Sequence, residues 1–408
     1  MGYKPCLADP DIWLKPMVRP DDGFEYYAYL LLYVDDCLAI NHDATGALEE
    51  LDKFFSMKPG SIGDPDIYLG AKLRRVQLDN GVFAWGLSPS KYVQEAVRNV
   101  EEYLDKNFGG RKLTRKSVRS PWVNTDYSAE TDDSPELGPD LASYYQSQIG
   151  VLHWIVELGR VDMITEVSVL ASQMALPREG HLEAVFHLFG YLKSKHNSQM
   201  VFDPTYPDIL LEHFNELEHK DWRHFYGDVE EAIPVNAPTP RGKGVDLRMF
   251  VDSDHAGDKR TRRSRTGYFI FLNSALIAWL SRKQGTIETS VFGAEFVAMK
   301  TGVEALRGIR YKLRMMGIPV DGPSYVFGDN MSVIRNTQKP ESTLKKKSNQ
   351  ICYHAIREAV AMGECLTAHI DTNENCADLA TKVIAGGAKR EHLVSKLLYD
   401  IFDDHEEK

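Results

Sequence analysis

The sequence contains no stretch approaching the roughly 20 consecutive apolar residues that a membrane-crossing helix requires. Its opening, Met1-Gly2-Tyr3-Lys4-Pro5, lacks the apolar core of a secretory signal, and Cys6 stands where an N-myristoylation motif needs Ser or Thr. Cysteine is scarce. Cys6, Cys37, Cys352, Cys365 and Cys376 are odd in number, scattered, and form no Cys-x-x-Cys pair. Reduced thiols in an intracellular protein, with no membrane partner, are the expectation. An overall excess of positive charge is missing too: 48 Lys+Arg face 59 Asp+Glu, a net charge of −11. The deficit is uneven, because residues 246–408 hold 24 Lys+Arg against 21 Asp+Glu. Bulk charge therefore excludes little, and local clusters must carry any argument about nucleic acid.

What is present is the composition of a soluble globular protein, 43% hydrophobic and 26% charged, long enough for two or three domains. Tyr27–Ile40 (YAYLLLYVDDCLAI) is an apolar, β-rich run broken by two acids and reads as a buried strand or hairpin. Leu87–Phe108 opens with Ser88-Pro89 and reads as a helix. Asn124–Pro139 is an acidic loop, and helical patterning follows from Leu141 to Lys195 with a break at Pro177. The acidic, Pro-punctuated stretch from Asp203 to Lys243 is the best boundary.

Beyond it the pattern changes. Asp246–Ser253, Thr266–Asn273 and Ala275–Ser281 predict three short strands, followed by a long helix over Ser290–Met316. A strand (Ser324–Phe327), a helix (Asn349–Met362), a strand (Leu366–Ile370) and a helical region (Asn375–Leu398) complete it. A meander followed by alternating helices and strands predicts a mixed sheet of the α/β (α+β) class.

Four acids fall at strand ends or helix starts of this predicted sheet: Asp252, Glu295, Asp329 and Asp378. Each is flanked by apolar or small residues, a costly setting unless a cation compensates it. Carboxylate oxygens suit Mg²⁺, and two such ions about 3.5–4 Å apart can drive phosphodiester hydrolysis. Taken singly, each acid reads more simply as local structure, Asp378 as a helix N-cap and Asp329 as an Asx turn. Asp254 competes with Asp252, since residues two apart on a strand share a face.

The order of the motifs adds to this. VDSDHAGD, RSRTGYFIFL, AWLSRKQGTIETSVFGAEFVAM, GDNMSVI, CYHAIREAV and ENCADLATK resemble the RNase H domain of copia-type LTR retrotransposon Pol polyproteins. LLLYVDDCLAI, DIYLGAKL, SPSKYVQEAV and the helical stretch up to FGYLKSK resemble the reverse transcriptase palm, thumb and connecting helices of the same polyprotein. The resemblance implies a partial palm and thumb over 1–123, a helical thumb and connection region over 124–202, and an RNase H-like mixed-sheet domain over 246–408; composition alone marks the acidic linker over 203–245, the main stretch the resemblance does not cover. It places catalytic metal ligands at Asp252, Glu295, Asp329 and Asp378, two Mg²⁺ or Mn²⁺ ions among them, and cleavage of RNA in an RNA–DNA hybrid as the activity. Other parts of the polyprotein are implied as partners. Departures from the pattern are Gly293 for a usual Glu, Lys347-Ser348-Asn349-Gln350 for a usual Lys-His-Ile-Asp run, and Arg160-Val161-Asp162 for Arg-Pro-Asp. His354 remains near the altered run, and a packed structural histidine is the simpler reading.

Tyr33-Val34-Asp35-Asp36 matches the palm hairpin, whose acids Asp35 and Asp36 would contribute to a polymerase metal site. No residue before Tyr33 supplies a third ligand convincingly, since Asp9 and Asp11 sit in the wrong context, so polymerisation is expected to fail. Basic clusters at Lys259–Arg265 (Arg260, Arg262, Arg263, Arg265), Arg282-Lys283 and Lys345–Lys347 (Lys346 at its centre) would neutralise phosphates of a bound hybrid or other nucleic acid. A catalytically inert nucleic-acid-binding remnant is the alternative that the residues leave open.

Overall fold

The Tyr27–Ile40 run folds as a hairpin in a computed structural model, which describes all residues except 35, 115–117, 125, 210–213, 215–220, 345–346 and 403–408. Strands β1 (Lys4–Cys6), β2 (Asp9–Val18), β3 (Glu25–Tyr33) and β4 (Asp36–Ile40) form one antiparallel sheet in that order. Helix α1 (Ala44–Asp52) follows, its start capped by the Asp43 side chain accepting the Gly46 N–H.

A second antiparallel sheet comprises β5 (Ile67–Tyr68), β6 (Ala71–Gln77) and β7 (Phe83–Ser88), and it is completed from far along the chain by β8 (Met200–Phe202). Leu87 and Ser88, expected to open a helix, pair instead with Leu73 and Lys72. Ladder bonding claims them, so α2 begins after Pro89 and runs over Ser90–Asn107. Helices α3 (Pro139–Glu157), α4 (Ile164–Ala171) and α5 (Glu179–Ser194) follow, with the expected break at Pro177 between the last two.

The acidic stretch is anchored where it is described. It holds a short helix α6 (Arg223–Tyr226), and Glu231 accepts paired hydrogen bonds from Arg310 (2.6 and 2.8 Å) and Arg314 (2.6 and 2.9 Å). Two guanidinium forks on one carboxylate outweigh the extended tendency of this composition.

The remaining strands form the mixed sheet that the patterning predicts. Strands β9 (Leu247–Asp254), β10 (Arg265–Leu272) and β11 (Ala275–Lys283) make the antiparallel meander. After the long helix α7 (Val291–Met315), β12 (Ser324–Gly328) pairs parallel with β9. Helices α8 (Met331–Gln338) and α9 (Gln350–Ala361) lead to β13 (Cys365–His369), parallel to β12. The order is β11-β10-β9-β12-β13. The region read as one last helix is divided into a 3₁₀ turn at Cys376–Ala380 and helix α10 (Ala388–Ser395), with Gly386-Gly387 interrupting the pattern between them. No helix of the described residues is long and apolar enough to cross a membrane.

The sheet is covered on both faces. Met249 and Val251 pack with Phe296, Met299 and Val303 of α7. On the other face Phe269, Phe271 and Leu276 join Leu379, Leu393 and Leu397 in a core shared with α2 to α5. Inside that shared core lies a buried ionic network. Arg160 donates twice to Asp162 (2.8 and 2.9 Å), and the Tyr191 hydroxyl donates to the same carboxylate at 2.7 Å. Arg390 of α10 donates to the Asp162 backbone carbonyl and stands 3.5 Å from Glu166. Burial pushes the Glu166 carboxyl up to about 7 despite that guanidinium. Val161, at the place of a usual Pro, is itself fully buried and leaves the Arg160–Asp162 pair intact.

Arg160 balances a carboxylate that has no access to water. Arg160→Met should therefore cost about 3–5 kcal/mol in urea unfolding, because Asp162 is left buried and short of charge. A loss below about 1 kcal/mol would show that the network does not hold the helices to α10.

Candidate metal centre

Asp252 lies near the end of β9, paired on one side with Gly267 of β10. The 3₁₀ turn passes so close to this point that a Cβ on Gly267 would lie 2.7 Å from the Ala380 Cβ and 2.6 Å from the Thr381 Cγ2. Only glycine admits that approach. It brings the Thr381 hydroxyl into a hydrogen bond with Asp252. Asn375 fixes the turn, accepting the Ala377 N–H (3.1 Å) and donating to the Val251 carbonyl (3.1 Å).

Glu295 comes from the first turns of α7. The Ser290 side chain caps that helix, and the buried Gln284 amide donates to the Ala294 carbonyl (3.0 Å) and the Thr266 hydroxyl (3.1 Å). Asp329 follows β12. The neighbouring Asn330, not Asp329, caps α8 by accepting the Ser332 and Val333 N–H groups. That leaves the Asp329 carboxylate free of the local duty the sequence suggested for it.

Asp252, Glu295 and Asp329 each offer an oxygen, and these atoms all lie within 4.8 Å of one another. Asp252 is 1% exposed and Glu295 7%. Burial is the main reason the Asp252 carboxyl is pushed up to about 6, with the Asp378 and Asp329 charges adding to it and Lys382 and Thr381 opposing. Glu295 is raised well above the usual carboxylate range by burial first, then by Asp252 and Asp329. Three acids so placed repel one another unless a cation joins them, and hard oxygen donors in this number suit a divalent ion.

Asp378 stands apart from this trio. Its carboxylate is buried and held by Lys382 (2.5 Å) and Lys389 (2.9 Å), and Lys382 also reaches Asp252 (3.1 Å). Asp378 is thus joined to Asp252 through an ammonium. It does not cap a helix, since Asn375 takes that role. Asp254 shares the Asp252 face but not the cluster, and burial raises its carboxyl.

Among the basic residues, Arg260, Arg262, Arg263 and Arg282 are exposed. The β9–β10 loop that carries the first three is shaped by Asp258, which accepts the Arg260 and Thr261 N–H groups and pairs with Lys283. Arg265 differs from these four. It is buried, donating to the hydroxyls of Ser168 (2.7 Å) and Ser281 (3.2 Å), because it opens β10 beside α4 and β11. Lys346 and Asp35 lie outside the described residues, and Asp36 is exposed at the start of β4. His354, expected to be packed, is exposed on α9 and bonds the Tyr226 hydroxyl at 2.8 Å.

Two residues went unseen in the sequence. His369 ends β13, level with Gly328, and its Nε2 lies 3.1 Å from the Asp329 carbonyl. The ends of parallel strands are where sites gather, which was the available signal. Lys382 is four residues beyond Asp378, the spacing of a local ion pair.

A mixed sheet carrying a carboxylate trio, two of its members buried, defines an α/β protein with a candidate divalent-metal centre. No protein-family model matches the chain. The chain is similar to retrotransposon Pol polyproteins: it is 24% identical over 88% of its length to that of transposon RE1 from Arabidopsis thaliana and 25% identical over 94% to that of transposon TNT 1-94 from Nicotiana tabacum. It spans 21% and 25% of those polyproteins' lengths. A ribonuclease H1 isolated from compost by a metagenomic approach aligns over 33% of this chain and 92% of its own, at 19% identity and a TM-score of 0.28.

The raised Asp252 carboxyl has a consequence for stability. Folding holds its proton more tightly than the unfolded chain does, so this contribution is full below about pH 4 and lost as pH rises through 6. In chelator, Asp252→Asn should therefore gain on the parent between pH 4 and 7, by on the order of 1–3 kcal/mol in denaturant unfolding. Mg²⁺ or Mn²⁺ should raise the parent's melting temperature at pH 7. A parent and variant that track each other across this range would show that Asp252 is not desolvated.

Proposed function

We propose that residues 246–408 are an RNase H-type, metal-dependent endonuclease hydrolysing RNA in RNA–DNA hybrids, within a chain of copia-type retroelement origin. One observation carries the reading. Asp252, Glu295 and Asp329, distant in sequence, bring carboxylate oxygens within 4.8 Å of one another in a largely buried setting. The similarity to retrotransposon polyproteins supports the same reading.

Asp252, Glu295 and Asp329 would hold Mg²⁺ or Mn²⁺. Bound divalent cations supply Lewis acidity toward a phosphoryl oxygen and favour the attacking form of water. The chain's own residues bind and orient the rest. Exposed Arg260, Arg262 and Arg263 on the β9–β10 loop, with Arg282 at the end of β11, neutralise backbone phosphates and set the duplex against the sheet edge. His369, exposed beside Asp329, is placed to take up or deliver a proton at the rim of the trio. The inert-binder reading is favoured by one feature, the Lys382 ammonium that already compensates Asp252 and Asp378.

The test is cleavage of end-labelled RNA in a hybrid by the full chain with Mg²⁺ or Mn²⁺, alongside Asp329→Asn. Asn keeps the shape but loses the charge that holds the ion, so turnover should fall by about 100-fold or more. Hybrid binding, followed by fluorescence anisotropy, should survive in Asp329→Asn and weaken, with a shallower salt dependence, when Arg260, Arg262 and Arg263 become Ala. No cleavage by the parent favours the inert binder. Cleavage that Asp329→Asn fully retains would place the chemistry elsewhere.

A further inference from the structure

The four acids divide three and one, and the divider is a lysine. Lys382 Nζ lies 3.1 and 3.3 Å from the two Asp252 oxygens and 2.5 Å from Asp378 Oδ1, while Lys389 takes Asp378 Oδ2 at 2.9 Å. Both carboxylates are 1% exposed, whereas the Lys382 side chain is 37% exposed.

The backbone fixes this placement. Gly267 admits the 3₁₀ turn against β10, and Asn375 pins the turn to β9. Helix α4 holds it from behind, the Thr165 hydroxyl donating to the Leu379 carbonyl at 2.8 Å. Lys382 follows directly, one residue after the Thr381 that bonds Asp252. Its ammonium therefore sits between Asp252 and Asp378, where a divalent ion shared by those two acids would have to sit. Two cations cannot occupy that gap together, since Mg²⁺ requires oxygens at about 2.0–2.1 Å and an adjacent ammonium would repel it. The half-exposed lysine has a way out toward solvent, and the buried acids have none.

Building on the metal-centre reading, we propose that Lys382 is a built-in cation for the Asp252–Asp378 half of the site. The protein without nucleic acid then takes one divalent ion, at Asp252–Glu295–Asp329. A second divalent ion enters only by displacing the Lys382 ammonium. Lys382 is thus a positioning residue that sets how many metal ions the centre holds.

The experiment is a Mn²⁺ titration of the full chain without nucleic acid, with free Mn²⁺ read by electron paramagnetic resonance, together with melting curves. The parent should bind one Mn²⁺. Lys382→Met should bind two, with the second site tightened by about tenfold or more once the competing charge is gone. Asp378→Asn should still bind one, because the trio is untouched. Lys382→Met leaves two buried acids facing each other, so it should also melt lower in chelator and regain more from Mn²⁺ than the parent does. Lys382→Arg, which keeps the charge, should stay at one ion. Two ions in the parent, or one in Lys382→Met with a parent-like response to Mn²⁺, overturns the proposal. No Mn²⁺ bound by any of these proteins defeats the metal-centre reading itself.

Discussion

Desolvated like charge is the constraint around which this structure is organised. Asp252 and Glu295 are taken out of water within 4.8 Å of each other and of Asp329, and Asp378 is buried just beyond. Nothing in an apolar sheet welcomes that arrangement. The surrounding residues make it tolerable: Lys382 and Lys389 bring positive charge, and Thr381 brings a hydroxyl. Around them, Gly267 clears space, Asn375 and Gln284 tie down the turn and the helix start, and Asn330 relieves Asp329 of a capping role.

The helical region is part of this support. Its core is continuous with one face of the mixed sheet, and Thr165 of α4 bonds the backbone of the turn that carries Asp378. The buried set of Arg160, Asp162, Tyr191, Arg390 and Glu166 ties α5 and the segment before α4 to α10. Helices α4 and α5 thus brace the carboxylate side of the mixed sheet. Arg265 illustrates the coupling. In a sheet standing alone it would be a surface base, but here Ser168 of α4 takes its guanidinium inside.

Local patterning determined a good deal by itself. Period-2 apolar runs set the three meander strands within a residue or two, and Ser290 before an amphipathic run marked the start of α7. Those signals are legible because side-chain alternation and capping depend on near neighbours alone. The motif order, with Asp252, Glu295 and Asp329 at strand ends or a helix start, also named the acids that the fold draws together. Other features had no local signature. The Leu87-Ser88 pair became strand because β6 lay beside it, and α8 is a short helix whose buried face is defined only by the sheet beneath. The division of the four acids into three and one, with Lys382 between, depends on a turn crossing β10 at a glycine more than 100 positions earlier in the chain. Spacing along the chain can state which charges are present, but which of them share a desolvated volume is decided by the packing that removes the water.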